Sequence, residues 1–215
     1  MTRQADPAIV AAWVAGWAIS RATPPPAPVL GGHLITVGLP QHKARYVFPG
    51  ANLDVLSRLA RRVRERWVFI KVCAEAEDLA SAWPEGWRLH DPGFMMTTSL
   101  EAASAPPPLP DGYSLSLEPG EVTLAQIRDR TGALAASGRI AVAQGHVIFD
   151  QILTVDDHRR CGLGRVVMAA LSQAAIDRGV AHAVLVATLE GRRLYEAVGW
   201  RLHSPFTTVV IEAES

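Results

Sequence analysis

The sequence predicts an α/β (α+β) protein: a mixed, mostly antiparallel central sheet flanked by helices and duplicated as two pseudo-repeats. Three observations predict it. In the second half of the chain, strand-like segments lead into a glycine-containing loop, an amphipathic helix and one more apolar strand. A heptapeptide then recurs across the chain: Gly86-Trp87-Arg88-Leu89-His90-Asp91-Pro92 is repeated as Gly199-Trp200-Arg201-Leu202-His203-Ser204-Pro205, a constant shift of 113 positions with six of seven residues identical. Finally, Ala105-Pro106-Pro107-Pro108-Leu109-Pro110 interrupts any regular element near the middle.

The elements of the second half follow in order. Tyr113, Leu115 and Leu117 alternate with Ser114, Ser116 and Glu118, a strand period. Residues 122–128, 134–143 and 147–155 read as further strands. Leu163, Val166, Val167, Ala170, Leu171 and Ala174 fall on one face of a helix that Gly179 stops. Residues 183–187 are a continuous apolar run, as expected of a strand covered on both faces. A short helix bearing Leu194, Tyr195 and Val198 ends at Gly199, and a strand pair, 200–202 with 207–211, closes the chain.

The first half repeats this order. Asp6 and Pro7 start a helix over the apolar residues 8–19, a run too short to span a membrane. Asp6 and the lack of a cleavage pattern also make it a poor secretion signal. Residues 33–37 and 45–48 match two strands, 52–66 the long helix with Leu53, Leu56, Ala60 and Val63 on one face, and 67–73 the apolar strand. The expected organisation is an N-terminal unit over 1–104, a linker over 105–111 and a second unit over 112–215.

The 215 residues are 49% hydrophobic, enough for a sizeable core, and carry no formal net charge. Nothing global attracts nucleic acid or an anionic membrane. Cys73 and Cys161 show neither metal-ligand nor disulfide spacing, so no metal is expected and a reducing cytoplasm is the default compartment. Arg58, Arg61, Arg62, Arg64 and Arg66 read as a solvated helix face.

The sharpest local signal is Arg159-Arg160-Cys161-Gly162-Leu163-Gly164 between a strand and a helix. Unpaired amides and the positive end of the helix dipole meet there, and glycine lets the main chain approach a phosphate. Taken alone, the pattern fits a pyrophosphate loop or a tight turn equally. Arg159, Gly162 and Gly164, followed by Leu194-Tyr195-Glu196-Ala197-Val198-Gly199-Trp200, resemble the GNAT superfamily of acyl-CoA-dependent N-acyltransferases. The resemblance covers 113–215 and reaches the first half only through the internal repeat. It implies a GNAT-like sheet, acetyl-CoA as cosubstrate and an amine acceptor.

The resemblance also implies roles. Amides of Arg160, Cys161, Gly162, Leu163, Gly164 and Arg165 would cradle the pyrophosphate, with Arg159 in the motif. Main-chain groups of Leu153, Thr154 and Val155 would pair with the pantetheine arm, and Tyr195 would protonate the departing thiolate. Arg165, Arg192 and Arg193 could reach the nucleotide phosphates. Many such proteins carry a glutamate base where this chain has Ile148. Asp150 shares that strand face and is the candidate base, or else a structural or substrate-binding carboxylate. His146 and Glu190 are weaker candidates. In the first half, Pro49 stands where the phosphate loop would be and Ala80 or Ser81 where Tyr195 would be, so this half is expected to bind no coenzyme and to wall the acceptor cleft. Glu118 runs almost directly into Val122, leaving no room for the two helices that usually shape the acceptor site. A small-molecule amine or amino acid is the expected acceptor. A non-catalytic acyl-CoA sensor and acylation of a protein Lys or N-terminus remain the alternatives, and the oligomeric state stays open between monomer and homodimer.

Overall fold

A computed structural model describes residues 5–101 and 107–212. The first part of the expected linker, Ala105 and Pro106, lies outside the described residues. The elements run α1 (Pro7–Ser20), β1 (Ala27–Val29), β2 (Gly32–Leu39), β3 (His42–Phe48), α2 (Leu53–Arg62), β4 (Val68–Val72), α3 (Ala76–Leu79), β5 (Arg88–Leu89), β6 (Gly93–Ser99), β7 (Ser114–Glu118), β8 (Val122–Arg128), β9 (Leu134–Ala143), β10 (His146–Thr154), α4 (Leu163–Ile176), β11 (His182–Thr188), α5 (Leu189–Glu196) and β12 (Arg201–Val210).

One sheet carries every strand, in the order β1-β2-β3-β4-β12-β6-β11-β10-β9-β8-β7, with β5 beside β12. Only β3–β4 and β10–β11 are parallel, and each pair is joined through a helix, α2 or α4. The two pseudo-repeats are therefore visible as two β–α–β crossovers in one mostly antiparallel sheet.

The expected closing strand pair is instead one strand, β12, with an irregularity between Leu202 and Ser204. It leaves its own half to pair with β4, while β6 of the first half lies between β12 and β11. The pairings obey the repeat. Arg88 faces Val210 and Arg201 faces Thr97, and adding 113 to 88 and 97 gives 201 and 210. Gly93 faces Phe206, its own repeat partner, so a pseudo-twofold axis passes there. A Cβ on Gly93 would stand 2.9 Å from the Phe206 carbonyl oxygen, which explains glycine at this crossing.

Strand alternation divides the core between two faces. Val147, Phe149, Leu185 and Met96 point to the face covered by α4. Ile148, Val184, Met95 and Val47 point to the other, covered by α1 through Val10, Trp13, Val14 and Trp17. The helix α1 begins as expected, with Asp6 accepting from the Ala8 amide at 2.8 Å and Pro7 in the first turn. It lies across β9 and β10 of the second half. Helix α2 is shorter than the expected 52–66: Val63 turns to an extended backbone, which leaves Arg64 and Arg66 outside it, and Leu53, in its first turn, is exposed. Val198 likewise lies past the end of α5 and is exposed.

Candidate active site

The site begins with a defect in β10. Asp150 pairs with Arg139 and Leu153 with Ser137, so two residues of β10 oppose one of β9. Gln151 adopts φ +52 to make this bulge, and Ile152 packs where a side chain on Gly138 would sit. On its other side β10 pairs with β11 only over His146–Ile148. Past that point the parallel strands part, and a cleft of about 1170 Å³ opens from the N-terminus of α4 to the C-terminus of α1.

At one end lies the loop. Gly162 caps α4 at φ +77, a left-handed conformation suited to glycine, and offers no side chain to the first-turn amides. No acidic residue occupies that turn. A Cβ on Gly164 would meet Leu194 at 3.3 Å and the Thr154 hydroxyl at 3.6 Å, so a larger side chain there would crowd the floor of the cradle. The residues present therefore fit a pyrophosphate. Arg160, Gly162, Leu163, Gly164 and Arg165 border the cleft, whereas the exposed Cys161 thiol turns back onto the Arg159 carbonyl at 3.5 Å. The Arg165 amide is spent within the turn, on the Gly162 carbonyl at 3.0 Å. Arg159 spans Asp156 at 2.9 Å and Glu190 at 3.5 Å across the mouth.

The bond to Gly162 removes the Arg165 amide from the expected cradle, and two further expectations need correction. Val155 has no amide left for a pantetheine arm: it donates to the Ala135 carbonyl, and the Val155 carbonyl already accepts from the His158 amide, both at 2.9 Å. Leu153 and Thr154 do line the cleft. Arg192 does not reach the phosphate end: Glu196 holds it at 2.7 Å and it lies 4.7 Å over the Phe94 ring, on the core side of α5. Arg193, one position on, faces the cleft. Among the weaker candidates, Glu190 lies at the cleft, while His146 lies in a separate groove beside His182.

Tyr195 reaches the middle of the cleft from α5, which Thr188 caps by accepting from the Gly191 amide at 3.1 Å. Its phenol is buried, and burial together with the nearby Asp150 carboxylate pushes its pKa up to about 12, so it is protonated at neutral pH. Ile148 lies beneath α1 and is fully buried. Asp150, two residues on, meets the end of the same helix. Its Oδ2 accepts from the Ser20 hydroxyl at 2.8 Å and from Arg21 Nε at 2.5 Å, and its Oδ1 accepts from Arg21 Nη2 at 2.9 Å.

Beyond Asp150 lies a group that sequence reasoning missed. Arg45 of β3 and Lys71 of β4 border the cleft with Trp13, Trp17 and Phe206. The Arg45 guanidinium stacks 3.6 Å from the Trp17 ring centre and donates to His42 Nε2 at 3.1 Å. Lys71 donates to the Thr208 hydroxyl at 2.9 Å. Burial, and then the Arg21 charge, lower the Arg45 pKa to about 9 despite Asp150. Burial, and then Arg45, hold Lys71 well below the usual lysine range. No motif marks these residues, since β3 and β4 contribute one each and β12 completes the wall.

A bulged strand parting from its parallel neighbour above a helix N-terminus, with a phenol between, defines the class: a fold of the GNAT type. Residues 126–210 match the model of the FR47-like protein family. A GCN5-related N-acetyltransferase from Kribbella flavida superposes at a TM-score of 0.66 with 17% identity, covering 97% of this chain and 96% of that one. A GNAT-family acetyltransferase from Novosphingobium aromaticivorans gives 0.58 and 17%, over 98% and 100%. A tandem GNAT protein from the clavulanic acid biosynthesis pathway gives 0.56 and 16%, over 86% and 80%. A comparison with curated proteins gave no match. The chain has the fold of the GNAT superfamily, in a two-repeat form. Among the described residues, no helix is long and apolar enough to cross a membrane.

Proposed function

We propose that this chain transfers an acyl group, acetyl in the first instance, from acyl-CoA to the amine of a small molecule or amino acid within a ternary complex. The observation that carries the reading is one continuous cleft that joins the anion cradle at α4, the parting of β10 from β11 and the Tyr195 phenol. In this reading 112–215 supplies the coenzyme site and 1–104 walls the acceptor end. The protein then works beside its acyl-CoA supply in the cytoplasm, where an exposed thiol such as Cys161 stays reduced.

The coenzyme supplies an activated thioester. Free amides of the 160–164 loop bind its pyrophosphate, and main-chain groups of Leu153 and Thr154 align its arm. Asp150 holds the acceptor's ammonium through its remaining lone pairs. The ammonium proton passes to it or through it to water. The freed amine nitrogen bonds to the thioester carbon, the carbon–sulfur bond breaks, and Tyr195 gives its proton to the sulfur. Burial and, after it, the Asp150 charge keep the phenol from ionising; an ammonium seated at Asp150 offsets the second of these, so acceptor binding readies the acid. Ternary positioning replaces a covalent enzyme intermediate.

The burial of Ile148, where a base would be expected, and the engagement of both Asp150 oxygens favour a second reading, a non-catalytic acyl-CoA sensor. Calorimetric titration with acetyl-CoA, against desulfo-CoA and ATP, tests both. Micromolar binding that is lost in Gly164→Glu, with thiol release from some member of an amine panel, supports the enzyme. Binding without release from any amine supports the sensor, and no binding of any CoA species removes both.

A further inference from the structure

We propose that the cleft end beyond Asp150 recognises the carboxylate of the acceptor, with Arg45 and Lys71 as its cationic anchors, so that the acceptor is an amino acid or a similar amino carboxylate. The inference rests on the acyl-transfer reading for calling this end the acceptor site.

The charge pattern carries it. Arg21, Arg45 and Lys71 converge on the cleft, and Asp150, bound by Arg21, is the one carboxylate lining this end. Among the described residues no carboxylate lies within ion-pairing distance of Arg45 or Lys71; their polar partners are a neutral imidazole and a hydroxyl. Buried cations normally come with a counter-ion, because desolvation without one is costly. A cleft bordered by the buried Arg45 and the half-buried Lys71 is therefore incomplete until an anion enters. The depressed pKa of each is the expected sign of that missing charge.

The arrangement also gives the acceptor a direction. Asp150 lies between the two ends: its charge acts on Tyr195 on one side and on Arg45 on the other. An ammonium at Asp150 and a carboxylate at Arg45 and Lys71 place opposite charges in sequence from the thioester inward. Arg45 is held by stacking on Trp17 and by its bond to His42, so its fork is fixed before a ligand arrives. Trp13, Trp17 and Phe206 offer apolar wall for the acceptor's side chain.

The test uses products, which need no turnover. A panel of N-acetyl-amino acids and their primary amides is titrated into the full chain with and without CoA, read by tryptophan fluorescence. The expected result is at least one acid that binds ten-fold or more tighter than its amide. That preference should fall below about three-fold in Lys71→Met, while calorimetric CoA affinity stays unchanged. If no acid exceeds its amide, or the preference survives in both Lys71→Met and Arg45→Gln, the inference is overturned. A phosphate monoester that outbinds every acid overturns the carboxylate assignment. If CoA fails to bind while the Lys71-dependent acid preference remains, the acyl-transfer reading falls and the carboxylate site stands. The wild-type comparison of acid with amide holds even if a variant does not fold.

Discussion

Protonating His42 should unlock the wall that holds Arg45. His42 Nε2 accepts from Arg45 Nε at 3.1 Å, so that nitrogen must carry no proton. A proton there would remove the acceptor and set a cation against Arg45, Lys71 and Arg21. The ring is half-buried between Trp17 and Phe69. Burial first, then those three charges, lower its pKa from 6.5 to about 4. The sign follows: below about pH 6.5 the unfolded chain binds a proton that the folded chain refuses until about pH 4, so stability falls as pH falls through that window. A gap of about 2.5 units at 1.36 kcal/mol each gives about 3 kcal/mol, and half-exposure to solvent reduces this to roughly 1–2 kcal/mol. Urea unfolding followed by tryptophan fluorescence at pH 7.5 and 4.5 measures it, in wild type and in His42→Gln, whose amide oxygen can still accept from Arg45. Wild type should lose about 1–2 kcal/mol more than the variant between the two pH values. Parallel losses would refute the claim that His42 is held neutral by its burial and the charges beside it.

Two further outcomes follow from other contacts. Tyr195→Phe should lower turnover on a good acceptor by about 10²–10⁴-fold with little change in acetyl-CoA affinity by calorimetry; wild-type turnover would remove the phenol as the acid. Gly16→Ala should lower thermal stability by about 1–3 kcal/mol although alanine favours helix, because a Cβ there would lie 2.6–2.9 Å from three atoms of Ile148, its Cβ among them; a stabilised variant would mean that α1 is not seated on β10.

The parts legible in the sequence were local ones. Glycine spacing at Gly162 and Gly164, the helix period of α4 and the Asp6–Pro7 start each act within one turn of chain, and the structure has those elements in place. The repeat at 86–92 and 199–205 was legible as identity, but not as an exchange of strands. The sequence reads as two short strands, 200–202 and 207–211, whereas the irregularity after Leu202 lets one strand pass between the halves. Of Arg192 and Arg193, both expected to reach phosphate, only Arg193 borders the cleft, because one step of helical rotation turns Arg192 onto Phe94. Arg45 and Lys71 gave no signal, because each occupies an ordinary strand position and their meaning arises only across β3, β4 and β12.

That exchange decides how the two halves can diverge. Because β12 completes the sheet of the first half and β6 that of the second, neither half presents a finished sheet without the other. The first half can therefore lack a phosphate loop, with Pro49 where an amide donor would be needed, and still be required for the site. Its strands supply Arg45 and Lys71, and its helix α1 supplies Trp17 and Arg21 to the end of the cleft where the second half lacks helices of its own. In the proposed reading the repeat divides the labour, with one copy holding the loop and the phenol while the other turns the equivalent sheet into a wall for the acceptor. Specificity can then change through β3, β4 and α1 without disturbing the coenzyme loop.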